Sequence, residues 1–268
     1  AAREALVAAD AARSQLAPAQ AATLDKRMAN LGVSSAPGAG AGDSSGRYPS
    51  TPHLPFSPEV HDDDTVLPAA SFGTFLNTPI VITEKLDGGN CAIIDGKVYA
   101  RTHSHEATHE SFGPIKTIAL EVQYMGLEPG LKLFGENMFG VHSIEYDNLE
   151  AMFYLFAVQH ADGRFDSWED VVATAERLGL QHAPVVFEGT VSSMAEIRRL
   201  CEGAAAKPSA LAIDTRPEGF VLRLARGYAG GEFERCMAKF VRKGHLQTDD
   251  SWRRTWKKAV LQAHTKRK

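Results

Sequence analysis

The run Glu84-Lys85-Leu86-Asp87-Gly88-Gly89-Asn90 puts an amine, carboxylates and two glycines where the β-branched stretch Pro79-Ile80-Val81-Ile82-Thr83 gives out. A lysine there would stand at the mouth of a cleft, with glycine backbone free to approach a phosphate closely. To act as a nucleophile the amine must first lose its proton. At an unperturbed pKa of about 10.4, only about one lysine in a few thousand is neutral at pH 7. Burial beside cations or a divalent metal favours the neutral amine, whereas carboxylates alone push the other way. Standing alone, Lys-x-Asp-Gly more commonly marks a surface turn, so its companions decide.

Those companions follow in order: Ala100-Arg101-Thr102-His103-Ser104, then Phe134-Gly135-Glu136-Asn137-Met138-Phe139-Gly140 running into His142-Ser143-Ile144-Glu145-Tyr146, then Phe153-Tyr154-Leu155-Phe156-Ala157-Val158, Pro217-Glu218-Gly219-Phe220-Val221-Leu222-Arg223 and Met237-Ala238-Lys239-Phe240-Val241-Arg242-Lys243. Together with the lysine run they resemble the six ordered motifs of the covalent nucleotidyltransferase superfamily of polynucleotide ligases and capping enzymes. The likeness spans residues 81–243 and is closest to ATP-dependent RNA ligases of the type represented by the second RNA ligase of bacteriophage T4. The 142–146 run is the part that points to RNA rather than DNA ligases.

The resemblance implies roles residue by residue. Lys85 is the adenylated lysine, with Asp87 and Lys239 beside it as catalytic groups. Glu84 reads the adenine amino group, Asn90 stands where RNA ligases carry asparagine, Arg101 contacts the ribose and phosphate side, and Glu136 binds the ribose. Phe156 stacks on the purine, a contact worth about 1–3 kcal/mol, while Phe153 and Leu155 are expected in the core. Glu218 helps hold Mg²⁺ or Mn²⁺, a hard cation that takes oxygen ligands and keeps several waters. The last motif departs from the family, which has two lysines separated by one residue. Met237 replaces the first, so either Arg235 or Lys243 supplies that cation or adenylation is slower than the family norm; Lys243 joins Lys239 among the nucleotide-binding candidates. The implied partner is RNA with 3′-hydroxyl and 5′-phosphate ends, with an end-healing kinase–phosphatase or an upstream domain as a further partner, and the chain is expected to be a monomer. A capping guanylyltransferase or DNA ligase would use the same lysine chemistry, but only about 25 residues follow the last motif, too few for the oligonucleotide-binding fold those enzymes usually carry. A catalytically inactive RNA- or nucleotide-binding module is the other alternative, opposed by the joint presence of Lys85, Glu136, Glu218 and Lys239.

Two other clusters attract attention. Three histidines, His103, His105 and His109, lie close together, yet no cysteine or HExxH spacing accompanies them, and a polar loop is the better reading. The acidic His61-Asp62-Asp63-Asp64 reads as a solvated turn with no assigned role.

Positioning such residues requires strands, and strand-like segments occur at 80–85, 91–94, 98–101, 131–136, 153–158, 220–224 and 236–241. Helices are expected from Ser167 to Leu178, ended by Gly179, and from the capping box of Ser193 and Glu196 through Leu200. A third, basic helix over 250–264 carries Arg253, Arg254, Lys257 and Lys258, candidate RNA contacts or equally a solvated face. The expected fold is α+β: an antiparallel-sheet, ATP-grasp-like adenylyltransferase domain over 48–245, its nucleotide cleft between sheets, followed by the basic helix at 246–268. Residues 1–47 are Ala-, Gly- and Ser-rich and read as a tail or linker. The chain begins without methionine, which leaves room for a domain upstream; a transit peptide is weakened by Glu4, Asp10 and Asp25.

Of the 268 residues 44% are hydrophobic and 23% charged, enough for one substantial core. No run approaches the roughly 18 apolar residues that span a bilayer, so a soluble intracellular protein is expected, its compartment unspecified. The isolated Cys91, Cys201 and Cys236 argue against a disulfide framework. Net charge is −4, so any nucleic-acid contact must come from a local basic face.

Overall fold

The computed structural model describes residues 47–62, 64–101, 105–245 and 257–262, all within one compact unit, 42–268. The proposed tail at 1–46, His103, and Arg253 and Arg254 lie outside the described residues.

In chain order the elements are β1 (Pro79–Lys85), β2 (Gly89–Ile94), β3 (Lys97–Ala100), α1 (Gly113–Tyr124), β4 (Lys132–Asn137), β5 (Gly140–Val141), β6 (Phe153–Gln159), α2 (Trp168–Arg177), β7 (Gln181–His182), β8 (Val185–Thr190), α3 (Met194–Ala205), β9 (Gly219–Leu224), α4 (Phe233–Cys236), β10 (Met237–Val241) and β11 (Lys257–Lys258). They form a four-stranded sheet, order β10-β9-β1-β8, a five-stranded sheet, order β3-β2-β4-β6-β7, and a two-stranded pair of β11 with β5. Every pairing except the short β6–β7 contact is antiparallel, which gives the α+β architecture.

β1 is central to its sheet and buried from Ile80 to Glu84, as its run of Ile, Val and Thr requires of a strand covered on both faces. Side chains alternate along it. Ile80 and Ile82 join Leu222, Leu224 and the α3 residues Ile197 and Cys201 in one core. Val81 joins a second core with Cys91, Ile93, Leu133 and Leu155 of the other sheet, which α1 and α2 close with Ile115, Ala119, Val122, Val171 and Ala175. The alternate face of β1, carrying Thr83 and Lys85, therefore turns toward the five-stranded sheet.

Helices α2 and α3 begin where their caps dictate: Ser167 Oγ accepts from the Asp170 N–H at 3.1 Å and Ser193 Oγ from the Glu196 N–H at 3.2 Å. Helix α3 runs on to Ala205, beyond its expected end. Helix α1 is an addition to the expected elements, although Pro114 in its first turn and the buried Ile115, Ala119 and Val122 spaced at i, i+4 and i+7 carry its signal. The C-terminal expectation is corrected: Lys257 and Lys258 form a strand paired with Val141 and Gly140, not a helix. The backbone partner that β5 offers outweighs the helical spacing of the basic residues. No helix among the described residues is long and apolar enough to cross a membrane.

Candidate active site

A cleft of about 640 Å³ opens between the two sheets. On the four-stranded wall, register sets its contents, because directly paired residues share a face. Val81, Arg223 and Met237 form one rung, Thr83, Val221 and Lys239 the next, and Lys85, Gly219 and Val241 the third. Lys85, Val221, Arg223, Lys239 and Val241 all line the cleft. Gly219 is required at its rung, since a Cβ there would collide with the Phe240 carbonyl oxygen.

The facing wall contributes Asn90 and Glu136, directly opposite each other on β2 and β4. Phe156 reaches the cleft by a different device. Gly135 pairs with Leu155 and Phe134 with Ala157, which leaves Phe156 as the extra residue of a β-bulge. Bulges re-aim side chains at such sites, and Phe156 lines the cleft beside Tyr48, with ring centroids 5.0 Å apart. Arg223 lies beneath it, 4.7 Å from the Trp168 ring and donating from Nη1 to the Phe156 carbonyl.

Lys85 Nζ stands 2.6 Å from Glu218 Oε1. Burial works against its charge, but Glu218, Glu136 and Asp87 outweigh burial and hold the amine above the usual lysine range. The free site therefore keeps an ammonium, as carboxylates without cations must. Burial pushes the Glu136 carboxyl up to about 8 against the pull of Lys85. Asp87 is caged by the 142–146 run: its Oδ2 accepts from Ser143 N at 2.8 Å, Ser143 Oγ at 2.7 Å and Ile144 N at 2.7 Å, and its own N–H donates to Tyr146 Oη at 2.8 Å. Gly88 follows with no room for a Cβ against the Asn137 carbonyl.

His245, which sequence reasoning missed, is buried beside this pair, its Nε2 3.9 Å from Asp87 Oδ1 and 3.7 Å from Glu218 Oε1. Asp87, Glu218 and His245 are the metal-ligand set found among the described residues, their ligand atoms within 4.8 Å of one another. His105 and His109 are not in it, and His109 accepts from the Ser111 N–H. Two buried carboxylates fit Mg²⁺ or Mn²⁺, and the imidazole is a donor that Mn²⁺ takes more readily than Mg²⁺.

The remaining candidates divide. Asn90 lines the cleft with its side-chain oxygen buried and without a hydrogen-bond partner among the described residues, and Arg101 stands exposed at the rim. The Glu84 carboxylate is taken up by Ser209 Oγ and by the Ala210 N–H at 3.0 Å, and burial raises it against those bonds. Neither cation considered for the Met237 position reaches the cleft. Lys243 is exposed in the turn after β10, and Arg235 is exposed 3.8 Å from Glu232. The cation in register with Met237 is Arg223 on the neighbouring strand, a fact of pairing that no linear motif displays. Lys257 pairs with Glu145, and Lys258 lies 5.7 Å from the Phe139 ring centroid. The acidic turn is also corrected in part: Asp64 is drawn in against Lys239 and His53.

A family model described as RNA ligase matches residues 78–241. No curated protein sequence matches. Among solved structures, the Naegleria gruberi RNA ligase with PPi superposes with a TM-score of 0.51 at 18% identity, over 72% of this chain and 60% of that one. Two alanine variants of the same ligase, each with ATP and Mn, give TM-scores of 0.48 at 17% and 16% identity, covering 63% and 76% of this chain and 51% and 62% of those. The chain thus spans between half and about six-tenths of the length of these structures. At such identities the superposition establishes a shared antiparallel α+β fold, and the sequence match extends over more than half of the chain, including every residue of the cleft rungs. The chain belongs to the RNA ligase family.

Proposed function

We propose that this chain is the nucleotidyltransferase unit of an ATP-dependent RNA ligase that works through a lysyl-adenylate on Lys85. The supporting observation is the convergence of Lys85, Glu136, Phe156, Glu218 and Lys239, drawn from four strands and the bend that leads into β9, on one cleft. Phosphoryl transfer asks for in-line placement and cations around spreading negative charge rather than a dedicated acid–base pair, and the cleft has that make-up.

In the first step the Lys85 amine attacks the α-phosphorus of ATP, a P–N bond forms, and the bond to the bridging oxygen breaks to release pyrophosphate. An RNA 5′-phosphate oxygen then attacks the same phosphorus, the P–N bond breaks, and Lys85 regains its amine. Finally an RNA 3′-hydroxyl attacks the 5′-phosphorus, closing the phosphodiester and releasing AMP. Phe156 offers a face for the purine, Glu136 a partner for the ribose, and Lys239 a charge for the α-phosphate. Asp87, Glu218 and His245 would hold a divalent cation, which when bound supplies positive charge to the phosphates and draws carboxylate charge away from Lys85. Such a cation would thereby favour the deprotonated amine at Lys85.

Incubation with α-labelled ATP or GTP tests the nucleotide, and chasing the labelled protein with nicked RNA or nicked DNA tests the acceptor. The account expects label from ATP alone, discharged into joined RNA. Label from GTP would make it a capping-type enzyme, joining of DNA alone a DNA ligase, and RNA binding without any covalent label an inactive module.

A further inference from the structure

Asp64 does not line the cleft, yet it holds the cation that faces the cleft from β10. Its Oδ1 lies 3.0 Å from Lys239 Nζ, while its Oδ2 accepts from the His61 N–H at 3.1 Å and stands 3.2 Å from His53 Nε2. His53 is fully buried, with Nδ1 2.9 Å from Ser57 Oγ, and that oxygen accepts from the Val241 N–H at 2.9 Å. Two backbone bonds complete the grip: Lys239 N–H donates to Pro52 O at 2.8 Å, and Leu54 N–H donates to Lys239 O at 2.7 Å. The 52–64 stretch thus seizes Lys239 by its backbone and its ammonium together.

A lysine head swings on four methylenes and carries about 2 kcal/mol of rotamer entropy, so left to itself it would meet a phosphate only part of the time. Asp64 occupies one of its three N–H donors and leaves two for the cleft side. Met237 makes Lys239 the sole cation of β10, with no neighbour on that strand to share its task. Burial opposes ionisation of Asp64, but the His61 N–H and Lys239 bring it down to about 2, while burial and then Lys239 hold His53 at about 4. A neutral imidazole therefore braces a charged carboxylate against a charged amine.

We infer that Asp64 is a positioning residue for nucleotidyl transfer, fixing the Lys239 ammonium on the cleft wall while His53 and Ser57 fix Asp64. The role rests on the ligase reading above and names a residue that the motifs do not contain.

The test compares single-turnover self-adenylation in Asp64→Asn, Lys239→Ala and the double variant, with ATP affinity and melting measured alongside. A misplaced phosphate contact commonly costs tenfold or more. Asp64→Asn should slow adenylation by about 10-fold while ATP affinity moves far less, Asp64→Glu should recover part of the rate, and the double variant should be no slower than Lys239→Ala. Footprinting with an amine-acylating reagent, without ATP, gives a second readout: Lys239 should label several-fold faster in Asp64→Asn, or in Asp64→Ser if the asparagine variant fails to fold. A wild-type rate in Asp64→Asn, equal further slowing in the Lys239→Ala background, or unchanged Lys239 labelling would each overturn the inference. Faster Lys239 labelling in a protein whose wild type never takes up AMP would uphold the grip on Lys239 and sink the ligase reading instead.

Discussion

Lys85 is surrounded by the charges that make it hardest to deprotonate, Glu218 at 2.6 Å with Glu136 and Asp87 behind it. Asp87 is kept from closing on the amine by Ser143 and Ile144, which spread its charge over three donors. Charge-assisted hydrogen bonds of this kind are worth about 1.5–3 kcal/mol. Ser143→Ala removes one donor and leaves the backbone two, so single-turnover adenylation should fall by about 3- to 10-fold and the melting temperature by about 3–12 °C; an unchanged rate would show that the cage is structural only. The residues proposed to touch the nucleotide were legible through the motif resemblance, which matches residue types: an amine at Lys85, carboxylates at Glu136 and Glu218, an aromatic at Phe156. Their supports could not. Ser143 meets Asp87 across 56 residues and Asp64 meets Lys239 across 175, and a serine or aspartate in a polar run announces nothing until folding has chosen its partner.

At the level of elements, β9 joins Lys85 and Glu218 to Lys239 on β10. Glu218 precedes Gly219, and Gly219 sits between Lys85 and Val241 in register. Gly219→Ala would drive a methyl into the β10 backbone and part the strands, costing about 1–3 kcal/mol. At about 2–4 °C per kcal/mol for a domain of this size, the melting temperature should fall by about 2–12 °C and adenylation should be lost with it. Retention of both would mean the two strands are less tightly coupled than their pairing indicates. The 52–64 stretch carries its own pH signature through His53, buried and held at about 4 against 6.5 when unfolded. The unfolded chain then binds the extra proton between those values, so stability from this group is complete above pH 6.5 and is lost as pH falls through 4, on the order of 3 kcal/mol in all. Denaturant titrations across pH 4–6.5 should show a shallower loss in His53→Gln than in the wild type; equal slopes would refute it. Strands β1, β2, β4, β6, β9 and β10 were legible as apolar β-branched or aromatic runs. The bulge that aims Phe156 was not, because it is a property of β6 against β4 rather than of either alone. The basic C-terminal spacing misled for the same reason: a helical pattern at Lys257 and Lys258 yields to an open strand partner in β5.

On the scale of the whole molecule, two sheets wall a cleft that neither could form alone, and the chain returns to it repeatedly between Tyr48 and His245. The motifs are short because each supplies one or two cleft-facing residues per strand, and their fixed order is the order of the strands. On the proposed function this assembly delivers a neutral Lys85 amine to the α-phosphorus of ATP. The most direct measurement is incubation of the wild type and Lys85→Ala with ATP and Mn²⁺, followed by proteolysis and mass mapping of the modified peptide. The account predicts one AMP per chain, on the peptide containing Lys85, released by acid and absent from Lys85→Ala. AMP attached to any other residue, or undiminished in Lys85→Ala, would contradict it.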